Sequence, residues 1–225
     1  MKICAVSDLH GQLPIIEPCD LLLIAGDIIP LSLQTKYYKS LSWVFNRDSD
    51  FVRWINEIDC KEVVCVAGNH DFALETSQRY DCDKYFNKPV KFLYNKEYEY
   101  NGIKIWGSPY CKIFGNWAFN TPNYLLEEMY NEIPDDIDIL LTHDAPDIGE
   151  IGVIHQGWNK GTRCGNAVLK EAIKKKKPKY SISGHIHSGE HTLQTYDECP
   201  DTQFACVSIL DENYQMSYNP LVFEI

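Results

Sequence analysis

At five places in this chain, side chains able to bind metal or move protons stand directly behind a short apolar run. KICAVSDLH closes on Asp8 and His10, DLLLIAGD on Asp27, and KEVVCVAGNHD on Asn69, His70 and Asp71. DIDILLTHD closes on His143, and KYSISGHIH on His185 and His187. A lone histidine is usually a hydrogen-bonded core or surface group, and a lone aspartate after a strand is usually a cap. Here five of the seven histidines fall at these exits, all but His155 and His191. The recurrence favours one shared site.

The donor inventory is two carboxylates (Asp8, Asp27), one amide (Asn69) and four imidazoles (His10, His143, His185, His187), with His70 left over. Nitrogen and oxygen donors without thiolate suit manganese, iron or zinc better than calcium or magnesium. Seven donors exceed what one ion with open positions uses, so two divalent transition-metal ions sharing a carboxylate fit better, with Asp27 the natural bridge. Two metals about 3.5–4 Å apart clamp a phosphoryl group and stabilise both attacking and leaving oxygens. The size of the task points the same way: phosphate-ester hydrolysis needs about 20 kcal/mol of barrier reduction, while one acid or base contributes only ~10²–10⁴-fold.

The elements that must position these groups are legible around them. Runs such as Val63–Ala67, closed by Gly68, read as strands buried on both faces, with ligands gathering where their carboxyl ends open into a crevice. Lys2–Val6, Leu21–Ala25, Asp138–Leu141 and Tyr180–Ser183 read likewise. Asp8 and His10, two apart, are expected on one face of extended chain. Asp50–Asp59 is a helix, with Ser49 or Asp50 as cap. Asp71 caps a short helix through about Arg79. Asn123–Asn131 and Gly165–Lys176 are further helices, the lysine run 174–177 complementing the helix dipole or, as the other reading, forming a basic targeting patch. Asn101-Gly102 marks a hairpin between Tyr94–Tyr100 and Ile103–Trp106. Residues 28–46 form a wall or lid over the cleft, or a surface loop with a short helix. The aromatic run 107–120 shapes a pocket or is ordinary packed loop. Thr192–Thr195, Phe204–Ile209, Gln215–Tyr218 and Leu221–Ile225 are expected as antiparallel strands of a second sheet.

A chain of 225 residues, 44% hydrophobic, can bury one full core, so a single domain over residues 1–225 is expected. The formal charge of −11, from 32 acidic and 21 basic residues, argues against duplex nucleic acid as a partner. Nine cysteines, an odd number without a CxxC pair, read mostly as buried free thiols of a reducing compartment. No signal-peptide core precedes Asp8 and no apolar run nears the roughly 20 residues of a membrane span. A soluble, cytoplasmic protein without membrane contact is expected.

Taken together, Asp8-Leu9-His10, Gly26-Asp27, Gly68-Asn69-His70-Asp71, Thr142-His143 and Gly184-His185-Ile186-His187 resemble the signature of calcineurin-like metallophosphoesterases, in the family's order. The resemblance implies a four-layer α/β/β/α sandwich of two mixed sheets flanked by helices. It implies one metal on Asp8, His10, Asp27 and His187 and a second on Asp27, Asn69, His143 and His185. Manganese comes first, with iron, zinc or nickel as alternatives. It further implies in-line attack by a metal-bridging hydroxide, with the catalytic His70 stabilising or protonating the leaving oxygen and Asp71 orienting His70 or capping the helix. The stretches WGSPYCKIFGNWAFN, LLTHDAPDIG, GTRCGN and NPLVFEI are similar to the small metallophosphoesterase-domain-containing branch, which implies a phosphodiesterase for cyclic-nucleotide-like substrates. Some members of that branch have Gly where His185 stands here; this chain keeps the histidine, so a competent hydrolase is expected. The GDxxDRG block of protein Ser/Thr phosphatases is absent: Gly26-Asp27 runs into Ile28-Ile29-Pro30. Trp117, Asn120 and Arg163 are the substrate-contact candidates, though an exposed, solvated arginine is the commoner case. A phosphomonoesterase, or an idle scaffold of the same fold binding a protein partner, are the competing readings.

Overall fold

A computed structural model describes residues 1–77 and 83–225. In chain order its strands are β1 (Lys2–Val6), β2 (Cys19–Ala25), β3 (Cys60–Val66), β4 (Val90–Phe92), β5 (Lys96–Tyr100), β6 (Ile103–Ser108), β7 (Cys111–Lys112), β8 (Asn120–Thr121), β9 (Ile139–Thr142), β10 (Tyr180–Ser183), β11 (Gln194–Tyr196), β12 (Cys199–Cys206) and β13 (Leu221–Glu224). The helices are α1 (Tyr37–Phe45), α2 (Asp50–Glu57), α3 (Phe72–Thr76), α4 (Asn123–Asn131) and α5 (Ala167–Lys176).

Two mixed sheets result, ordered β13-β1-β2-β3-β4 and β11-β12-β10-β9-β6-β5. In both, the central strands run parallel; antiparallel strands close one edge of the first sheet and both edges of the second. Alternation along the strands sorts the apolar residues into three layers. Cys4, Val6, Leu22, Ile24 and Val63 face α1 and α2 on the outside of the first sheet. Ile3, Ala5, Leu23, Val64, Ile139 and Ile182 fill the space between the sheets. Leu140 and Phe204 meet Leu126 of α4 and Leu169 of α5 beyond the second. The α/β/β/α order is therefore the expected four-layer sandwich, and the unbroken apolar runs follow from strands covered on both faces.

Local signals account for the helix ends. The Ser49 hydroxyl accepts from Val52 N–H at the start of α2, and the Asn166 side chain accepts from Val168 and Leu169 N–H at the start of α5. α5 begins two residues later than the sequence suggests because Asn166 takes the cap. The lysines that follow are consumed locally: Lys174 pairs with Glu198, Lys176 with Asp135 and Lys177 with Asp201, while Lys175 donates to Asn131. Among the described residues eight cysteines are free thiols, seven of them buried.

The tail departs from expectation. β12 runs parallel beside β10, only β11 turns back antiparallel to it, and β13 leaves this sheet altogether to pair with β1. The free flank of β1 needs a partner, and Phe223 gains a place between the sheets. Gln215–Tyr218 forms no strand, only a single bridge from Met216 to Leu210. α3 is shorter than expected, and the sequence reading through Arg79 ends outside the described residues. β4, three residues long, carries too little pattern to be read.

Candidate metal centre

The carboxyl ends of β1, β2 and β3 in one sheet, and of β9 and β10 in the other, open onto the same cleft. His143 reaches across the seam: its Nδ1 lies 2.7 Å from the Ala25 carbonyl of the first sheet, and its Nε2 lies 2.8 Å from Asn69 Oδ1. From the other side His187 Nε2 stands 3.5 Å from Asp8 Oδ1, with Nδ1 3.0 Å from the Asp211 carbonyl. A carbonyl only accepts, so each ring carries a hydrogen on Nδ1, and Nε2 is turned to the cleft, where it faces an oxygen of Asn69 or of Asp8. His10 Nε2 and His143 Nε2 each lie 3.5 Å from Asp27 Oδ2.

Backbone geometry makes this convergence feasible. Asp8, His10, Asp27 and His185 all adopt positive φ, at 54°, 42°, 53° and 68°. Asp8 and His10 thus reach the cleft through a tight turn and not by strand alternation, which corrects the extended-chain reading. Left-handed backbone costs roughly 1–2 kcal/mol per non-glycine residue, so its concentration at one place marks a functional constraint. Gly26, at φ 101°, is required for a second reason: a Cβ there would overlap the His143 ring and lie 2.9 Å from the Ala67 carbonyl oxygen.

Among the described residues three donor groupings, each within 4.8 Å, emerge: Asp8, His10 and His187; His10, Asp27 and His70; and Asp8, Asp27 and His143. Asp8, His10 and Asp27 each belong to two of them. His185 belongs to none; its ring centroid lies 5.2 Å from that of His143 and 4.9 Å from Phe114, and its backbone N–H donates to the Asp8 carboxylate. The fit to a cation is tested by His10. It is only 7% exposed, and both of its ring nitrogens are buried without a hydrogen-bond partner. Leaving a buried polar group unmatched costs about 1–3 kcal/mol, a cost that coordination removes at whichever ring nitrogen carries the lone pair. The donors are oxygen and imidazole nitrogen, as transition metals of the zinc and manganese kind accept.

The electrostatics describe a site under tension. Burial pushes Asp27 well above the usual carboxylate range, and the charges of Asp71 and Asp8 add to it. Burial also raises Asp8, but the hydrogen bond and charge of His187 outweigh it and hold Asp8 low. The same pairing lifts His187 to about 9 against burial. Burial lowers His10 and His185 to about 3 and also depresses His143, leaving them neutral and ready to donate lone pairs.

Asp71 stands at the N-cap position of α3, but its carboxylate makes no capping bond there and is committed elsewhere than the His70 ring. Its carboxylate accepts from Ile28, Ile29 and Gly68 N–H at 3.1, 2.9 and 2.8 Å, tying the loop after β2 to the loop after β3. Asp71→Ala would leave three N–H groups unmatched, at about 1–3 kcal/mol each. We expect a fall in melting temperature on the order of 10 °C, read by thermal denaturation, with Asp71→Asn intermediate.

Among the substrate candidates, Trp117 lies over His70 with ring centroids 4.4 Å apart. Asn120 is spent on its own loop, accepting from Phe114 N–H and donating to the Ala118 carbonyl. Arg163 is ion-paired with Asp147 but also lines a cavity of about 260 Å³ with Lys112, Phe114, Cys164 and His185. Several residues that shape the site give little sign in the sequence. Gln34 contacts His70 Nδ1, Tyr214 packs its ring 5.1 and 5.0 Å from His10 and His187, and buried Asp144 accepts from Lys112 N–H and Asn166. Only Asp144, beside His143, stands near a motif.

Residues 1–189 match the family model described as calcineurin-like phosphoesterase. The chain belongs to this family. Among relatives of this calcineurin-like phosphoesterase, a UPF0046 protein of Caenorhabditis elegans is 29% identical over 96% of this chain and 76% of its own. Human metallophosphoesterase domain-containing protein 1 is 28% identical over 100% of this chain and 71% of its own. Among solved structures, TT1561 of Thermus thermophilus superposes with a TM-score of 0.56 at 14% identity, covering 91% of this chain and 88% of that one. The phosphopantetheinyl hydrolase of Mycobacterium tuberculosis does so at 0.53 and 14%, covering 92% and 88%. These structural likenesses carry the fold. Among the described residues no helix is long and apolar enough to cross a membrane. The family hydrolyses phosphoric esters with divalent metals, and the donor groupings here are candidate sites for such ions.

Proposed function

We propose that this chain is a binuclear-metal-dependent phosphodiesterase acting on a small, nucleotide-like diester. The observation that carries the reading is buried His10, its two nitrogens unmatched, beside an Asp27 carboxylate that belongs to two donor groupings. Asp8, His10, Asp27 and His187 would hold one ion, and Asp27, Asn69, His143 and His185 the other, manganese being the first choice. When bound, such a pair supplies Lewis acidity to the phosphoryl oxygens and an activated water at neutral pH.

The protein's own groups do the rest. His143 and His187 present Nε2 because their Nδ1 hydrogens are anchored on carbonyls. Asp27 Oδ1 accepts from His70 N–H at 2.8 Å, fixing the backbone of the proton-handling residue against the bridging carboxylate. His70 is 8% exposed, and burial with the neighbouring His143 lowers it to about 4, so its ring is neutral in the free protein. Its Nε2 carries a lone pair in that neutral ring, so it would first take up the proton shed by the attacking water and then pass it to the departing oxygen. Phe114 and the cavity beside His185 offer a base an aromatic wall in a small volume.

Protein loaded with Mn²⁺ and assayed on an aryl phosphodiester, on 2′,3′- and 3′,5′-cyclic nucleotides and on an aryl phosphomonoester tests the reading. Turnover of diesters above the monoester is expected. Failure on every diester would overturn it, and faster monoester hydrolysis would make the protein a monoesterase.

Metal uptake should also release protons. His187 is lifted to about 9 and burial shifts Asp27 toward holding its proton, and a cation competes for the same lone pairs. Raising the pH removes the competitor, so Mn²⁺ affinity should rise about tenfold per pH unit for each proton displaced. Calorimetric titrations in buffers of different ionisation heat would count those protons.

A further inference from the structure

The side chain that meets the Nδ1 edge of His70 belongs to a segment that no motif covers. Pro30 follows the Asp27 turn, and its carbonyl accepts from Leu33 and Gln34 N–H at 2.8 and 3.1 Å, closing a compact turn before α1. Ser40 Oγ of α1 donates to the Leu33 carbonyl at 2.7 Å and locks that turn to the helix. Gln34 is thereby held in place, and its Oε1 lies 2.5 Å from His70 Nδ1.

We propose that Gln34 is a positioning residue for His70. This rests on the hydrolase reading above. Because an amide oxygen only accepts, Gln34 assigns the ring hydrogen to Nδ1 and reserves Nε2 for the cleft. The imidazole is then fixed from four sides: Asp27 on its backbone N–H, Gln34 on Nδ1, Trp117 on one face, and the edge-on His10 ring with centroids 4.7 Å apart. Among these contacts of the described residues, that of Gln34 selects the tautomer. The partner is also uncharged, so the ring is oriented without an added carboxylate in a cleft that already holds Asp8, Asp27 and Asp71. The segment after Gly26-Asp27 supplies this amide from the turn that Pro30 closes.

A positioning role has a signature that packing alone lacks. With Nδ1–H kept on Gln34, Nε2 would take the proton shed by the attacking water and hand it to the departing oxygen; that transfer matters most when the oxygen leaves reluctantly, so the defect should grow with the leaving group's pKa. Gln34→Met keeps length and removes the acceptor; Gln34→Glu restores an acceptor oxygen at the same reach. On metal-loaded protein we expect Gln34→Met to lower kcat about tenfold to a hundredfold on an alkyl-leaving diester and far less on a 4-nitrophenyl diester. KM and bound Mn²⁺ should be unchanged, and Gln34→Glu should recover most of the loss. Equal slowing of both esters, or none, would overturn the proposal. The ¹⁵N ring resonances of His70 in metal-free protein read the tautomer without turnover. A wild-type Nδ1–H pattern that turns mixed in Gln34→Met supports the proposal, and identical patterns refute it. Failure of the wild type on both esters would instead remove the hydrolase reading on which it stands.

Discussion

Asp27→Ala is expected to abolish hydrolysis, with kcat/KM falling at least ~10⁴-fold, about 5.4 kcal/mol of transition-state stabilisation. The carboxylate belongs to two of the three donor groupings and also accepts the His70 N–H. On the proposed reading its loss therefore removes a shared ligand and loosens His70 at once. Bound metal should fall in parallel, measured by elemental analysis of the purified variant. The gentler Asp27→Asn separates function from folding. Its amide oxygen still serves His70, but the buried charge beside Asp71 and Asp8 is gone. A carboxyl whose folded pKa is raised costs stability once the pH exceeds its unfolded value. In metal-free buffer at neutral pH, Asp27→Asn should therefore melt above wild type, while Mn²⁺ should raise the melting temperature of wild type and not of the variant. A wild type that melts higher than Asp27→Asn without metal would contradict the described electrostatics.

His70→Ala should show the complementary pattern. Its ring is held by Gln34, Trp117 and His10, and the seven proposed ligands remain when it is removed. Metal content should stay near wild type while kcat drops by ~10²–10⁴, the usual worth of one general acid. As for Gln34→Met, the loss should steepen for poor leaving groups. Near-normal turnover on an alkyl ester would remove His70 from the chemistry and with it the reason for its enclosure.

Much of this can be read directly from the residues. The apolar runs ending at Asp8, Asp27, Asn69, His143 and His185 name five strands and the edge where they meet, because a strand covered on both faces has no choice but an unbroken hydrophobic sequence. What escapes such reading depends on contacts between segments far apart in the chain. Asp71 looks like a helix cap, yet its carboxylate serves three N–H groups on two loops, a role no local spacing reveals. Gln34 sits in a stretch without period. β13 repeats the alternation of an ordinary edge strand, and only the open flank of β1 decides which sheet receives it. The loop 211–218 reads partly as strand because Gln215, Met216, Ser217 and Tyr218 alternate, whereas its work is to bring the Asp211 carbonyl to His187 and the Tyr214 ring over His10.

The contact of His143 with the Ala25 carbonyl has a wider meaning. Of the proposed ligands four ride on one sheet and three on the other, and what sets the distance between the two sets is the thickness of the oily filling made by residues such as Ile3, Leu23, Val64, Ile139 and Ile182. A trimmed methyl group there, far from any reacting atom, would let the two slabs settle and draw the sets out of register. Evolution can thus retune cation spacing from a distance, with every ligand left in place.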